Sequence, residues 1–297
     1  MKTEAGDTMR EVQAKTLILG PYHNYNVYRG CTHGCIYCDS RSSCYEIEPP
    51  FEDIIVKVNA PALAAAELAK KKTKIVCRSG SMCDPYMPIE EKLELSRRVL
   101  EVILKYGHGA SFLTKNALAL RDLDLFEAIA KNACAVASFT ITTTDDELAR
   151  RIEPSASPPS ERLKALSAFA ERGIVTGVWM TPVLPWITAS EENIRAVVAA
   201  CAEARVKYIV GTTATTMRDG SREHFYARLD EEFPGLRRQY EQRYGTSYVC
   251  KSPGSDHLWD VFTTACDAAG IAWREADIAR FFTIRERHPQ MSLFDEM

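Results

Sequence analysis

Short apolar runs alternate with helical patterns along most of the chain. Residues 61–72, 89–106, 122–131, 160–171 and 191–204 carry apolar positions at helical spacing, and two of these stretches end at Gly107 and Gly173, residues suited to a helix C-cap. Between them, the compact apolar runs 74–77, 110–114, 135–142, 174–181 and 206–211 read as strands, and Asn26-Val27-Tyr28 reads as a strand preceding them. Strands separated by helices predict parallel pairing with right-handed crossovers. Two closures remain open, a doubly wound sheet and a partial barrel. In both, the C-terminal ends of the strands form the ligand face.

After Thr216 the pattern changes. Arg218, Arg222, Arg228, Arg237 and Arg243 alternate with Glu223, Asp230, Glu231, Glu232 and Glu241, which predicts a solvated helical face laced by i,i+4 ion pairs. Residues 245–254 read as a loop, 257–269 as an amphipathic helix and 271–285 as a short element. The expected division is an N-terminal arm over 1–22, an α/β unit over 23–216, a helical C-terminal cap over 217–288 and a tail over 289–297.

Composition narrows the class without naming a function. The chain has 297 residues, 46% hydrophobic and 26% charged, with a formal net charge of -3, an ordinary soluble globular balance. A basic surface for nucleic acid would have to be local. No run has the length of a membrane span, and the N-terminus lacks a charged head followed by an apolar segment, so a cytoplasmic location is expected. Ten cysteines in such a chain point to a reducing compartment, where they serve as metal ligands or buried small side chains.

Three of those cysteines, Cys31, Cys35 and Cys38, follow the spacing C-x3-C-x2-C. Thiolates suit iron–sulfur clusters, zinc and copper. Three ligands rather than four leave one iron of a [4Fe-4S] cubane open, and an open position marks a catalytic metal. His33 and Cys44 could complete a zinc site instead, giving a nucleic-acid-binding module without catalysis.

The cysteine spacing, with Tyr37 directly before the third cysteine, resembles the radical S-adenosylmethionine (radical SAM) superfamily. That resemblance implies a partial (β/α)6 TIM-type barrel with a helical C-terminal cap. It also implies that SAM chelates the open iron and is reductively cleaved to a 5′-deoxyadenosyl radical that abstracts a hydrogen atom. Four further stretches sharpen the likeness to the spore photoproduct lyase family: Cys77-Arg78-Ser79, Phe112-Leu113-Thr114-Lys115, Phe139-Thr140-Ile141-Thr142, and Ile152-Glu153-Pro154 with Glu161-Arg162-Leu163. The resemblance implies cluster ligation by Cys31, Cys35 and Cys38, and packing of Tyr37 on adenine. SAM contacts are implied for Ser79, Gly80, Lys115 and Thr140, with Thr181 beside the adenine, and Cys77 is implied as hydrogen-atom donor to the product radical. A lysine suits a carboxylate, and hydroxyls suit amine or ribose oxygens.

One position differs. Where the lyase has a tyrosine after the third cysteine, this chain has Asp39, a feature more like relatives labelled DNA repair photolyases. DNA lesion repair is the substrate expectation, with RNA, a peptide or a small metabolite as alternatives. A one-electron donor such as flavodoxin or ferredoxin is implied. The tail, with Gln290, Leu293 and Phe294, is similar to peptides that dock into the DNA sliding clamp.

Overall fold

The computed structural model describes residues 9–47 and 50–284. Four short strands come first: β1 (Met9–Val12), β2 (Asn24–Tyr25), β3 (Tyr28–Arg29) and β4 (Ile54–Lys57). β1 and β3 flank β4 in a small side sheet, the first parallel to it and the second antiparallel. β2 instead opens the main sheet, which continues through β5 (Val76–Ser79), β6 (Gly109–Thr114), β7 (Ala135–Thr140), β8 (Val175–Met180) and β9 (Tyr208–Gly211). Every pairing in it is parallel. Spatial order follows sequence order without a reversal, so the switch point of a doubly wound sheet is missing and the fold is a partial barrel.

The single strand expected at 26–28 is in fact two. The chain leaves the main sheet after Tyr25 and joins the side sheet at Tyr28, so the cysteine loop hangs from the side sheet. At the junction Gly30 has φ +82°, and a Cβ there would lie 2.4 Å from the Phe51 carbonyl oxygen, so only glycine fits.

The crossovers are α1 (Ala60–Leu68), α2 (Glu90–Leu93) with α3 (Leu95–Lys105), α4 (Leu123–Ala130), α5 (Asp146–Ile152) with α6 (Pro159–Glu171), and α7 (Glu191–Glu203). The helix expected over 89–106 is broken at Glu94, which adopts φ 48°. The break lets the buried Glu90 carboxylate accept from the Ser96 amide at 3.0 Å and the Arg121 guanidinium at 2.7 Å. One face of the sheet, including Cys77, Phe112, Phe139 and Met180, packs under these helices in the main apolar core. The other face lines the lumen, whose floor joins Val76, Val136 and Tyr208 to Phe281 and Phe282 from the C-terminal turn.

Beyond the barrel, β10 (Ala214–Thr216) pairs antiparallel with β11 (Val249–Lys251), a contact not foreseen because residues 245–254 read as a loop. The insertion between them carries α8 (Ser221–Glu232) and α9 (Leu236–Tyr244). Phe225, Leu229, Tyr240 and Tyr244 from this pair form a second core with Cys35, Ile36 and Tyr37. The outer face carries the expected ion pairs, Arg228 with Glu232 at 3.2 Å and Arg237 with Glu241 at 2.8 Å. α10 (Ser255–Ala269) packs on α7 at the flank of the barrel, and α11 (Glu275–Ala279) follows it.

The lumen floor depends on one small residue. A Cβ at Gly177 would fall 2.0 Å from the Tyr208 ring. That ring cannot swing away freely, because its hydroxyl is hydrogen-bonded to Ser138 at 2.7 Å and it stacks on Phe281 with centroids 5.7 Å apart. Gly177→Ala is expected to destabilise the protein by about 1–3 kcal/mol through overpacking, measured as a lower urea midpoint with unchanged slope.

Candidate active site

The cysteine loop has almost no regular structure, so side chains from the strand ends must hold it. Cys31, Cys35 and Cys38 face a cavity of about 400 Å³ at the C-terminal ends of the strands. Tyr37, Asp39, Gly80, Asp84, Lys115, Thr140, Thr181 and Pro182 share its wall. The Thr181–Pro182 peptide is cis. Gly80 has φ +96°, and a Cβ there would sit 2.1 Å from the Leu113 carbonyl oxygen, so the turn after β5 presses on β6 as only glycine allows.

Two buried carboxylates fix the loop. Glu153 accepts a short hydrogen bond from the Tyr37 hydroxyl and pairs with Arg162 at 2.5 Å, both acid and base almost wholly buried. Arg162 also donates to the Thr140 carbonyl at 2.9 Å and to the Ser157 carbonyl at 2.6 Å. The pair therefore links the cysteine loop, the end of β7 and α6. Burial alone would raise the Glu153 carboxyl, but Arg162 and Lys115 outweigh it and hold the group below its ordinary range.

Asp84, in the turn after β5, is the second anchor. Its Oδ1 accepts from the Thr114 hydroxyl at 2.5 Å and the Tyr86 amide at 2.9 Å, and its Oδ2 accepts from the Lys115 amide at 2.7 Å. The His33 Nε2 lies 3.0 Å from the same Oδ2, while His33 Nδ1 faces the Ser155 carbonyl at 3.1 Å. The ring thus stands between Asp84 and the Ser155 carbonyl, the place of a strut rather than of a fourth ligand.

Electrostatics suit a cationic or metallic occupant. Burial pushes the Cys35 thiol up to about 12, and burial with Asp84 and the neighbouring cysteines raises Cys31 well above its usual value. Ligation therefore has to release those protons. Lys115 stays charged: burial opposes the ammonium, but Cys35, Glu153 and Asp84 raise its pKa overall. Its Nζ stands 5.6 Å from the centre of the Tyr37 ring. Among the described residues no three His, Cys, Asp or Glu side chains converge as a single-ion cage. Three thiols spread over one wall fit the separate corners of a cluster better than the tetrahedral centre zinc requires.

Two expected site residues lie elsewhere. Ser79 is buried and borders a chamber beneath the cavity instead of the cavity itself. Cys77 is 0% exposed on the helix-facing side of β5, within the main apolar core. Strand alternation is the reason: Val76 faces the lumen floor, so the next side chain points the opposite way. The hydrogen-donor expectation for Cys77 therefore conflicts with its position. Cys83, by contrast, lines the cavity, with its thiol donating to the Tyr28 carbonyl at 3.0 Å.

Residues 25–198 match the Radical SAM superfamily. The chain belongs to that superfamily. As a radical SAM enzyme it shares the family's use of a [4Fe-4S] cluster and SAM. It is 30% identical over 235 residues to an uncharacterized protein of Methanocaldococcus jannaschii, covering 78% of this chain and 80% of the relative. An uncharacterized Mycobacterium tuberculosis protein is 28% identical over 233 residues, covering 75% and 67% respectively. A Pseudomonas phage M6 protein named radical SAM Nalpha-GlyT isomerase is 23% identical over 187 residues, covering 63% of this chain and 37% of its own. Among solved structures, spore photoproduct lyase with bound AdoMet and dinucleoside spore photoproduct superposes with TM-score 0.66 at 17% identity, covering 90% of this chain and 82% of the lyase. The barrel and its flanking elements are therefore those of the lyase fold.

The anchoring role of Asp84 has a pH signature. Burial would raise its carboxyl, but the His33 ring and the hydrogen bonds from His33, Thr114 and the Lys115 amide hold it down to about 2, from an ordinary 3.8. A depressed carboxylate stabilises the fold fully above the unfolded value and loses that contribution as pH falls towards the folded one. The contribution is about 2 kcal/mol on the linkage relation, lost between roughly pH 4 and pH 2. Asp84→Asn should lower stability at pH 6 and flatten its fall over that acid window, measured by urea denaturation at each pH.

Proposed function

We propose that this radical SAM enzyme acts on nucleic acid and that its reaction repairs a DNA lesion. The rim of the cavity carries the reading. Trp179 and Val249 line the cavity and are 37% and 49% exposed, and Tyr248, 45% exposed and next to Val249 in the chain, lines a separate hollow with Arg218. Arg218 donates to the Tyr248 hydroxyl at 2.7 Å with its guanidinium 4.7 Å from the ring centre. An enzyme that works on a base drawn out of a strand needs such stacking surface, with cations for the backbone. Solved structures of the lyase fold bound to dinucleoside spore photoproduct agree with this substrate class.

Cys31, Cys35 and Cys38 would hold the cluster. When bound, the cluster and SAM together supply the adenosyl radical that abstracts hydrogen. Lys115 would donate to a carboxylate, with Tyr37, held by Glu153, beside it. Thr140 and Thr181 offer hydroxyls, and Gly80 leaves room for close approach to backbone. Asp39 accepts from the Tyr45 hydroxyl at 3.1 Å and lies 3.5 Å from Arg218 Nε, tying the cysteine loop to the end of β10. A carboxylate held in this way anchors the loop and cannot relay a radical as a tyrosine would, so the quenching route differs from one that uses a tyrosine at this position. A flavodoxin or ferredoxin is the proposed electron source.

Anaerobic reconstitution tests the assignment. The wild type should cleave SAM to 5′-deoxyadenosine and act on ultraviolet-irradiated DNA, while Cys31→Ala, Cys35→Ala and Cys38→Ala should each lose cleavage by at least about a hundredfold. Cys77→Ala should lower stability and leave both cleavage and product distribution unchanged. Hydrogen-atom return that fails only in Cys77→Ala would restore that residue as donor. Action on a peptide but on no nucleic acid would overturn the substrate reading.

Gln290, Leu293 and Phe294 lie outside the described residues. We propose that they dock into a DNA sliding clamp, bringing the enzyme to DNA independently of the barrel. Removing residues 290–297 should abolish capture by immobilised clamp, and unchanged capture would dismiss the idea.

A further inference from the structure

Beneath the cluster cavity the barrel lumen holds a second chamber of about 300 Å³. It shares Gly80, Ser81, Leu113 and Trp179 with the cavity above, so the two spaces adjoin across these residues. Phe282 lines it, and the ring belongs to the apolar cluster that holds Tyr208 and Phe281. Two side chains in its wall lack the partners that their chemistry demands.

The first is Arg78. Its Nε is wholly buried without a hydrogen-bond partner, and no carboxylate among the described residues forms an ion pair with it. Its guanidinium instead lies 4.6 Å from the centre of the Phe282 ring and 5.8 Å from that of Tyr22. Aromatic faces recover only part of what a partly buried cation loses on leaving water, so an anion is the missing partner. Ser111, opposite Arg78 in register, and Ser138 add hydroxyls to the same wall.

The second is Trp179. It sits on the lumen face of β8, in register with Thr140 and Val210, yet more than a third of it is exposed. An indole left open inside a barrel is a stacking surface without its ring. It stands where the two spaces meet, so a ring against it would face the cluster cavity.

We propose that this chamber is the substrate pocket and takes one nucleotide unit, its base against Trp179 and its phosphate on Arg78. The proposal rests on the nucleic-acid reading above and names the two residues that would select the substrate. Neither a planar neutral ligand nor a simple anion satisfies both. A nucleotide does, whether free or part of a strand.

Equilibrium binding to the full chain, reconstituted anaerobically with cluster and SAM, tests it with thymidine, thymidine 5′-monophosphate and single-stranded oligothymidylate as probes. The monophosphate should bind the wild type at least about tenfold more tightly than the nucleoside, as expected of a charged hydrogen bond. Arg78→Met should remove that difference while Arg78→Lys keeps part of it, and Trp179→Ala should weaken both probes by about fivefold or more. Unchanged circular dichroism and SAM binding establish that the variants are folded. Oligothymidylate that binds wild type, Arg78→Met and Trp179→Ala alike would overturn the pocket while leaving the nucleic-acid reading standing. A monophosphate that binds as predicted when oligothymidylate does not would support the pocket and shift the substrate to a free nucleotide. Failure of all three probes on the wild type would overturn both.

Discussion

An irregular loop that must present three thiols to one cavity cannot rely on its own backbone. Here two buried carboxylates impose the shape, and much of the site depends on them. Glu153 holds Tyr37 from one side and is itself neutralised by Arg162, which reaches on to the Thr140 carbonyl. Asp84 holds His33 from the other side while fixing Thr114 and the backbone of Lys115. Each carboxylate therefore serves the cysteine loop and a strand end at once. Removing one partner of such a buried pair leaves a charge stranded in low dielectric, typically a loss of about 3–5 kcal/mol. The cation opposite, Lys115, stays charged because these acids surround it.

This arrangement explains why the motifs stand where they do. Ile152-Glu153-Pro154 and Glu161-Arg162-Leu163 lie more than a hundred residues beyond the cysteines, but the Ile152 carbonyl accepts from the Ile36 amide at 3.0 Å and Pro154 packs on Gly34. Their role is to brace the cysteine loop from behind. The second core adds a brace from above, where α8 and α9 close over Cys35, Ile36 and Tyr37. The arginine-rich insertion thus belongs to the support of the site, and its ion pairs keep the outer helical face soluble.

Much of the fold was legible because strands β6 to β9 and helices α3, α6 and α7 each announce themselves by period. What escaped has a common cause: it depends on contacts between distant segments. The split of the first strand follows from a side sheet that no local pattern encodes, and β11 is three residues long, with only Cys250 of its side chains buried. Cys77 shows the limit of motif transfer. Its place beside Ser79 suggested a role at the cavity, but the two-residue alternation of a strand sends its sulfur into the helix-facing core. Asp84 could have been found from the same turn, since a carboxylate two residues before Tyr86, flanked by a glycine-bearing loop, is where an Asx turn forms.

The lumen itself is ordered by chemistry from floor to mouth. Aromatic rings meet at the floor, where Tyr208 packs on Phe281 and Phe282. Above it, Arg78 and the serines make a layer that water or a ligand must satisfy. Above that, Lys115, the hydroxyls and the thiols line the cavity at the mouth. A radical made at the mouth would be lost to any hydrogen donor it met, so the interior needs a substrate held firmly and few thiols within reach. The burial of Cys77, Cys134, Cys201, Cys250 and Cys266 away from the cavity meets the second need. Cys83 remains on its wall, and its thiol is turned to a backbone carbonyl. The first need falls to whatever fills the space between an unpaired guanidinium and an open indole.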